Sequence, residues 1–235
     1  MKLRIKFSKH GPIVFIGHLD MMRYFQKAMR RAEVDISYSG GFSPHQIMSF
    51  AAPLGVGLAS NGEYMDIGVD SLTSASQVKE ALNAVMVEGV RIESVKLLPE
   101  NVTNAMASVA AAKYTISFRR EYMPSVDFFS QIDDYLAQKE ILVTKETKKS
   151  EKVIDLKPHI YEFSFRKEDS TISLMVDASS SGNIKPAFVL QDYYHFCNKE
   201  AGEFDFIITR EDTYTNTGTE TQPSFVPLDA VGEDY

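Results

Sequence analysis

The sequence predicts an α+β fold of two tandem ferredoxin-like (βαββαβ) domains with antiparallel sheets. Three observations predict it. Apolar periodicity switches between the two-residue repeat of a half-buried strand and the 3.6-residue repeat of an amphipathic helix, in the order β-α-β-β-α-β. After a small, polar stretch at 99–112 that order recurs more loosely. Finally, 235 residues at 44% hydrophobic and 24% charged content suffice for two cores.

The elements follow in order. In residues 2–7, Leu3, Ile5 and Phe7 alternate with Lys2, Arg4 and Lys6, a strand with one apolar and one basic face. Lys9-His10-Gly11-Pro12 interrupts it, and a short apolar run at 13–16 follows. Over 18–33 the period is helical: Met21, Met22, Phe25, Ala28, Met29 and Ala32 share one side, while Asp20, Arg23, Lys27, Arg30 and Arg31 share the other. Ile36-Ser37-Tyr38 is a short strand running into the Ser39-Gly40-Gly41 turn signal. Strands are expected at 47–52 and 63–69. Ser74 with Gln77 forms a capping-box pattern opening a helix through Val87, Gly89 ends it, and a strand at 90–98 closes a first domain of residues 1–98.

The stretch 99–112 reads as a linker, and 113–210 as the second domain. Tyr114, Ile116 and Phe118 mark its first strand, and Pro124-Ser125 opens a helix burying Val126, Phe129, Ile132 and Leu136. Strands are expected at 141–146, 152–166 and 171–177. A helix starts at Pro186, and a last strand covers 204–209. From Glu211 onward there are six acids and no Lys or Arg, so 211–235 is expected to be a disordered acidic tail.

Composition excludes several classes. The single Cys197 rules out an intramolecular disulfide and a cysteine-ligated zinc or iron–sulfur site within the chain, and fits a reducing compartment. No window approaches the roughly 18 apolar residues that span a bilayer, and the first residues alternate in place of a signal-peptide core. A cytoplasmic protein without membrane contact is expected. No phosphate-binding loop, dinucleotide fingerprint, zinc-protease helix or serine-hydrolase elbow is present, and neither a metal nor a cofactor is expected.

Charge is unevenly spread. Residues 1–60 carry eight Lys/Arg against three acids, net +5; with −7 overall, the remainder sums to −12. Such a concentration of like charge suggests an anionic partner. Arg23, Lys27, Arg30 and Arg31 follow one another at helical spacing, where extended cations reach successive phosphates; the same residues would also simply solvate a helix and offset its dipole. The basic strand row is expected on the open side of its sheet, pointing away from the helix stripe. In the loop Gly40-Gly41-Phe42-Ser43-Pro44-His45, the glycines permit positive φ. Phe42 is read as a core plug ahead of a stacking platform, and His45 as a phosphate donor or acid–base group. Glu63 and Asp66 are expected on opposite strand faces, and Cys197 buried and inert. A second basic run, Lys145, Lys148, Lys149 and Lys152, reads as a solvated hairpin.

Phe7-Ser8-Lys9, Phe15-Ile16-Gly17-His18-Leu19-Asp20-Met21-Met22-Arg23, Arg30-Arg31-Ala32, Ser39-Gly40-Gly41-Phe42-Ser43-Pro44, Ser49-Phe50-Ala51-Ala52-Pro53-Leu54-Gly55 and Glu63-Tyr64 together resemble a known family. It is the radical-SAM-linked proteins, a bacterial domain of unknown function found fused to, or encoded beside, radical-SAM enzymes. Weaker matches are Asp155-Leu156-Lys157-Pro158 and Lys185-Pro186, and Gly17 stands where the family usually has Ser. The resemblance implies a companion role and supplies no catalytic residues. Any radical chemistry would belong to the partner, because this chain lacks the three-cysteine cluster motif.

The sequence therefore predicts a non-catalytic accessory protein that binds RNA (tRNA or rRNA) for a partner radical-SAM enzyme. The binding candidates are Lys9, His18, Arg23, Lys27, Arg30, Arg31, Gly41, Phe42, Ser43 and Pro44. One alternative is a metal-independent ribonuclease or transferase using His18 or His45. Another is a scaffold that docks on the radical-SAM partner without touching RNA.

Overall fold

The alternation of residues 2–7 becomes β1 (Lys2–Lys9), with Leu3, Ile5 and Phe7 buried. A computed structural model describes residues 1–146, 151–202, 204–219 and 221–235 of a mixed α/β chain with mostly antiparallel sheet and few helices. It divides into two compact units, Met1–Ala110 with Arg210–Tyr235, and Ala111–Thr209.

In the first unit, α1 (His18–Arg31) starts from Gly17 and buries Met21, Phe25, Ala28 and Met29. The short β2 (Met48–Phe50) pairs with β3 (Ala59–Gly68), which runs antiparallel to β1 with Leu3 opposite Ile67 and Ile5 opposite Met65. Ser74 caps α2 (Ala75–Val85), its Oγ accepting from Gln77 N as the capping box predicts. The chain then returns as β4 (Val90–Leu97) on the far edge of β1. The two helices and the apolar face of this sheet enclose one core, in which Phe7, Phe25 and Phe50 meet edge to face.

The other face of β1 is not open. Arg4 is completely buried: its Nε and Nη2 bond both oxygens of Asp66 at 2.8 and 2.9 Å, and Nη1 donates to Leu228 O. The expected linker contains α3 (Ala105–Ser108), whose first amide also donates to Asp66.

The second unit begins with β5 (Ala111–Phe118). A break at Gln131 divides the expected helix into α4 (Val126–Ser130) and α5 (Ile132–Ala137). Val126, in the first turn of α4, is 81% exposed, and Phe128, Phe129, Ile132 and Tyr135 take the buried positions. The hairpin β6 (Leu142–Glu146) with β7 (Glu151–Asp155) follows; Lys148 and Lys149 of the second basic run lie outside the described residues. The strand expected over 152–166 is interrupted at Lys157–His159 by a 3-10 turn containing Pro158, which gives β8 (Ile160–Arg166) separately. β9 (Thr171–Asp177) lies between β5 and β8, antiparallel to both. Tyr135, Phe163 and Tyr193 of α6 (Pro186–Phe196) pack as an aromatic core, and Cys197 is buried as predicted.

The acidic C-terminal stretch was expected to be disordered, and here the structure differs. β10 (Phe206–Asn216) begins in the second unit and ends in the first, and β11 (Phe225–Pro227) pairs back on it. Gly62 shows how closely β10 approaches β3: a Cβ there would lie 2.7 Å from Asp212 Oδ1 and 2.8 Å from Glu211 O. Leu228 is fully buried. Buried carboxylate partners and apolar anchors override the disorder-prone composition. Among the described residues, no helix is long and apolar enough to cross a membrane.

Candidate functional site

In the first unit the end of β1, the start of α1 and the segment after β2 meet at a small cleft of about 20 Å³. Its apolar walls are Phe7, Met21, Phe50, Pro53 and Leu54. Two charged side chains also line it: Lys9 is 4% exposed and Glu63 5% exposed. Lys9 Nζ donates to Ile16 O at 2.8 Å, which ties the strand end to the turn before α1. His18 is exposed at the edge of the cleft, its ring 5.2 Å from Phe50 at 89°.

Burial sets the electrostatics. Desolvation lowers the pKa of Lys9 against the opposing pull of Glu63. Desolvation likewise raises the pKa of Glu63 and outweighs the nearby Arg210 guanidinium. Arg210 Nη1 lies 3.1 Å from Glu63 Oε1 and donates to Ala52 O at 2.7 Å. A buried amine and a buried carboxylate, each shifted towards its neutral form, thus share one cleft.

The cleft brings together only two of the predicted residues, Lys9 and His18. Arg23 pairs with Asp20 at 3.0 Å, both well exposed. Arg31 Nη2 donates to Val85 O at 3.3 Å. Lys27 and Arg30 are exposed, and among the described residues no side-chain hydrogen bond or ion pair holds them.

The loop forms a separate surface. Ser39 closes it: Ser39 N donates to His45 O, His45 N donates to Ser39 Oγ, and that hydroxyl meets His45 Nδ1 at 2.8 Å. His45 therefore holds the loop in shape, and among the described residues no hydrogen bond or ring contact joins it to His18. Gly41 turns the chain at φ +98°, and Gly41, Phe42, Ser43 and Pro44 are all exposed. Phe42 is fully exposed, which overturns its reading as a core plug. Gln46 Nε2 donates to Gln26 O at 3.3 Å, so the loop base rests on α1 midway along the basic stripe.

Of the basic strand row, Lys2 is exposed, while Arg4 and Lys6 are held internally. Arg4 is sequestered by Asp66, and Lys6 Nζ meets Asp212 Oδ2 at 2.6 Å. Tyr64 OH donates to Asp212 at 2.6 Å and to Asp229 at 3.2 Å. Part of the charge asymmetry in the sequence is thus complementarity between the two ends of the chain.

Sequence reasoning missed the charged pair at the cleft. Glu63 had a signal, since Glu63-Tyr64 is among the residues that carry the resemblance. Arg210 had none, because its approach depends on a contact 147 residues away in sequence. Among the described residues, no group of His, Cys, Asp or Glu is arranged to hold a metal ion.

A family model described as an uncharacterized protein conserved in bacteria matches residues 2–186. No curated protein matches the chain.

Proposed function

The chain belongs to this uncharacterised bacterial family, DUF2344, and from that premise we propose that it is an RNA-binding accessory protein for a partner enzyme. The observation that carries the reading is Phe42. A fully exposed phenyl ring on a glycine turn serves no core, and the loop beneath it rests on the helix that presents Arg23, Lys27 and Arg30. An aromatic platform beside cations suits an unpaired RNA segment, with bases stacked on the ring and phosphates near the helix. The acidic overall charge is no obstacle, because binding responds to the local field.

That the partner is a radical-SAM enzyme is supported by the resemblance alone, which is most specific in the first sixty residues. The tandem ferredoxin-like reading of the fold belongs with this proposal. The order β1-α1-β2-β3-α2-β4 supports it for the first unit. For the second unit the support is β5, α4 and α5, β8, β9, α6 and β10, with the β6–β7 hairpin as an insertion.

Phe42→Ala should weaken RNA retention by roughly 1–3 kcal/mol. Reversing Arg23, Lys27 and Arg30 to Glu should abolish retention at moderate salt and flatten its salt dependence. Undiminished binding by the folded triple variant would overturn the proposal. If a pull-down after nuclease treatment recovers the enzyme without RNA, the scaffold reading replaces it. Turnover by the purified chain alone, with a bell-shaped pH profile, would favour a ribonuclease or transferase, for which His18 beside Lys9 and Glu63 is the relevant placement.

A further inference from the structure

We propose that the Lys9–Glu63 cleft reads one unpaired nucleobase, taking the edge on which a keto oxygen lies beside an N–H, as in guanine and uracil. The cleft is lined by both a donor, Lys9, and an acceptor, Glu63. An ammonium has three N–H groups, and one of Lys9's goes to Ile16 O, so donors remain for a keto oxygen. Glu63 Oε1 lies 3.1 Å from Arg210 Nη1 as an ion pair, yet this buried atom accepts no hydrogen bond. Buried oxygens are rarely left so, and an incoming N–H supplies what is missing.

Size and surroundings fix how the ligand sits. A volume of about 20 Å³, comparable to a single water, excludes a base ring and receives no more than its edge. The reading edge enters, and the ring stays outside. There the exposed His18 imidazole, at the edge of the cleft, offers a face. A fold needing only a closed surface would place apolar side chains at this point. Burying Lys9 and Glu63 in an apolar-walled cleft costs stability that the core does not require.

The inference rests on the RNA reading only for the source of the base, since a free nucleotide presents the same edge. The test titrates the full-length chain with guanosine, uridine, cytidine and adenosine, following the imidazole resonances of His18 by NMR. Guanosine and uridine should shift His18 and bind about tenfold more tightly than adenosine. Lys9→Met and Glu63→Gln should each erase that preference. His18→Ala, a change at an exposed position and followed by titration calorimetry because the reporting imidazole is gone, should weaken all four nucleosides alike. No shift with any nucleoside, or a preference that survives in folded Lys9→Met protein, would overturn the inference. Nucleoside discrimination without RNA retention would uphold the cleft with a free nucleotide as ligand and defeat the RNA reading. RNA retention through Phe42 and α1 without discrimination would do the reverse.

Discussion

Arg4 keeps its charge with none of its side chain exposed, which is tolerable only because Asp66 meets it with two hydrogen bonds and Leu228 O takes another. Removing one partner leaves an uncompensated buried ion, so Asp66→Asn should destabilise the first unit by about 3–5 kcal/mol in chemical denaturation. Glu63 behaves differently. Its folded pKa lies above its unfolded value, so the fold holds the proton more tightly than the unfolded chain does. Its contribution is fully present below the unfolded carboxyl range and is lost as pH rises through the folded value. The stability advantage of the parent chain over Glu63→Gln should therefore shrink as pH is raised from acid towards neutral. Urea midpoints across that range check the sign, and an advantage that grows with pH would contradict it. Glu162 is the opposite case. Burial opposes its ionisation, but hydrogen bonds from Lys113 and Ser173 together outweigh burial and hold its pKa below the usual value. Its stabilisation is present above that usual value and fades as pH falls through the folded one.

Elements were legible where their signals are local. Ser74 caps α2 with the hydrogen bond its spacing predicts, and Ser74→Ala should cost about 1 kcal/mol, read as a lower urea midpoint with an unchanged slope. The α1 stripe was equally readable, because four buried side chains keep one period over its fourteen residues. Failures came where tertiary packing chose the buried set. In α4, Val126 at the first turn is exposed and Phe128 is buried; both sets keep a 3.6-residue period through Phe129 and Ile132, and packing alone chooses between them. Pro158 did carry a local signal, since proline lacks the ladder donor, and it interrupts the strand expected over 152–166. For the sites, Lys9 and His18 were legible as members of a residue-dense segment. The exposure of Phe42 was not, because Gly-Gly-Phe-Ser-Pro permits a turn into the core as readily as away from it.

Across the whole chain, the basic N-terminal segment splits into two populations with different fates. The strand cations Arg4 and Lys6 serve the fold, Lys6 facing Asp212 at 2.6 Å; outside that segment, Lys96 of the neighbouring strand likewise meets Asp234 at 2.7 Å. The helix cations Lys27 and Arg30 remain at the surface. Sequence charge could not separate them, because the separation is made by a segment more than 200 residues downstream. This arrangement predicts the outcome of shortening the chain. Ending it after Asn216 removes the buried Leu228 and the carboxylate of Asp229 that accepts from Ser94 at 2.6 Å, and it uncovers Arg4. Loss of the Leu228 side chain alone should cost about 2–5 kcal/mol, as Leu228→Ala would show. The shortened chain should also hold nucleic acid less selectively and with a steeper salt dependence, because a buried cation becomes available to phosphate. Circular dichroism recorded beside the binding assay separates this effect from unfolding. A folded, shortened chain with an unchanged salt slope would mean that the acidic segment stabilises the unit without masking its charge.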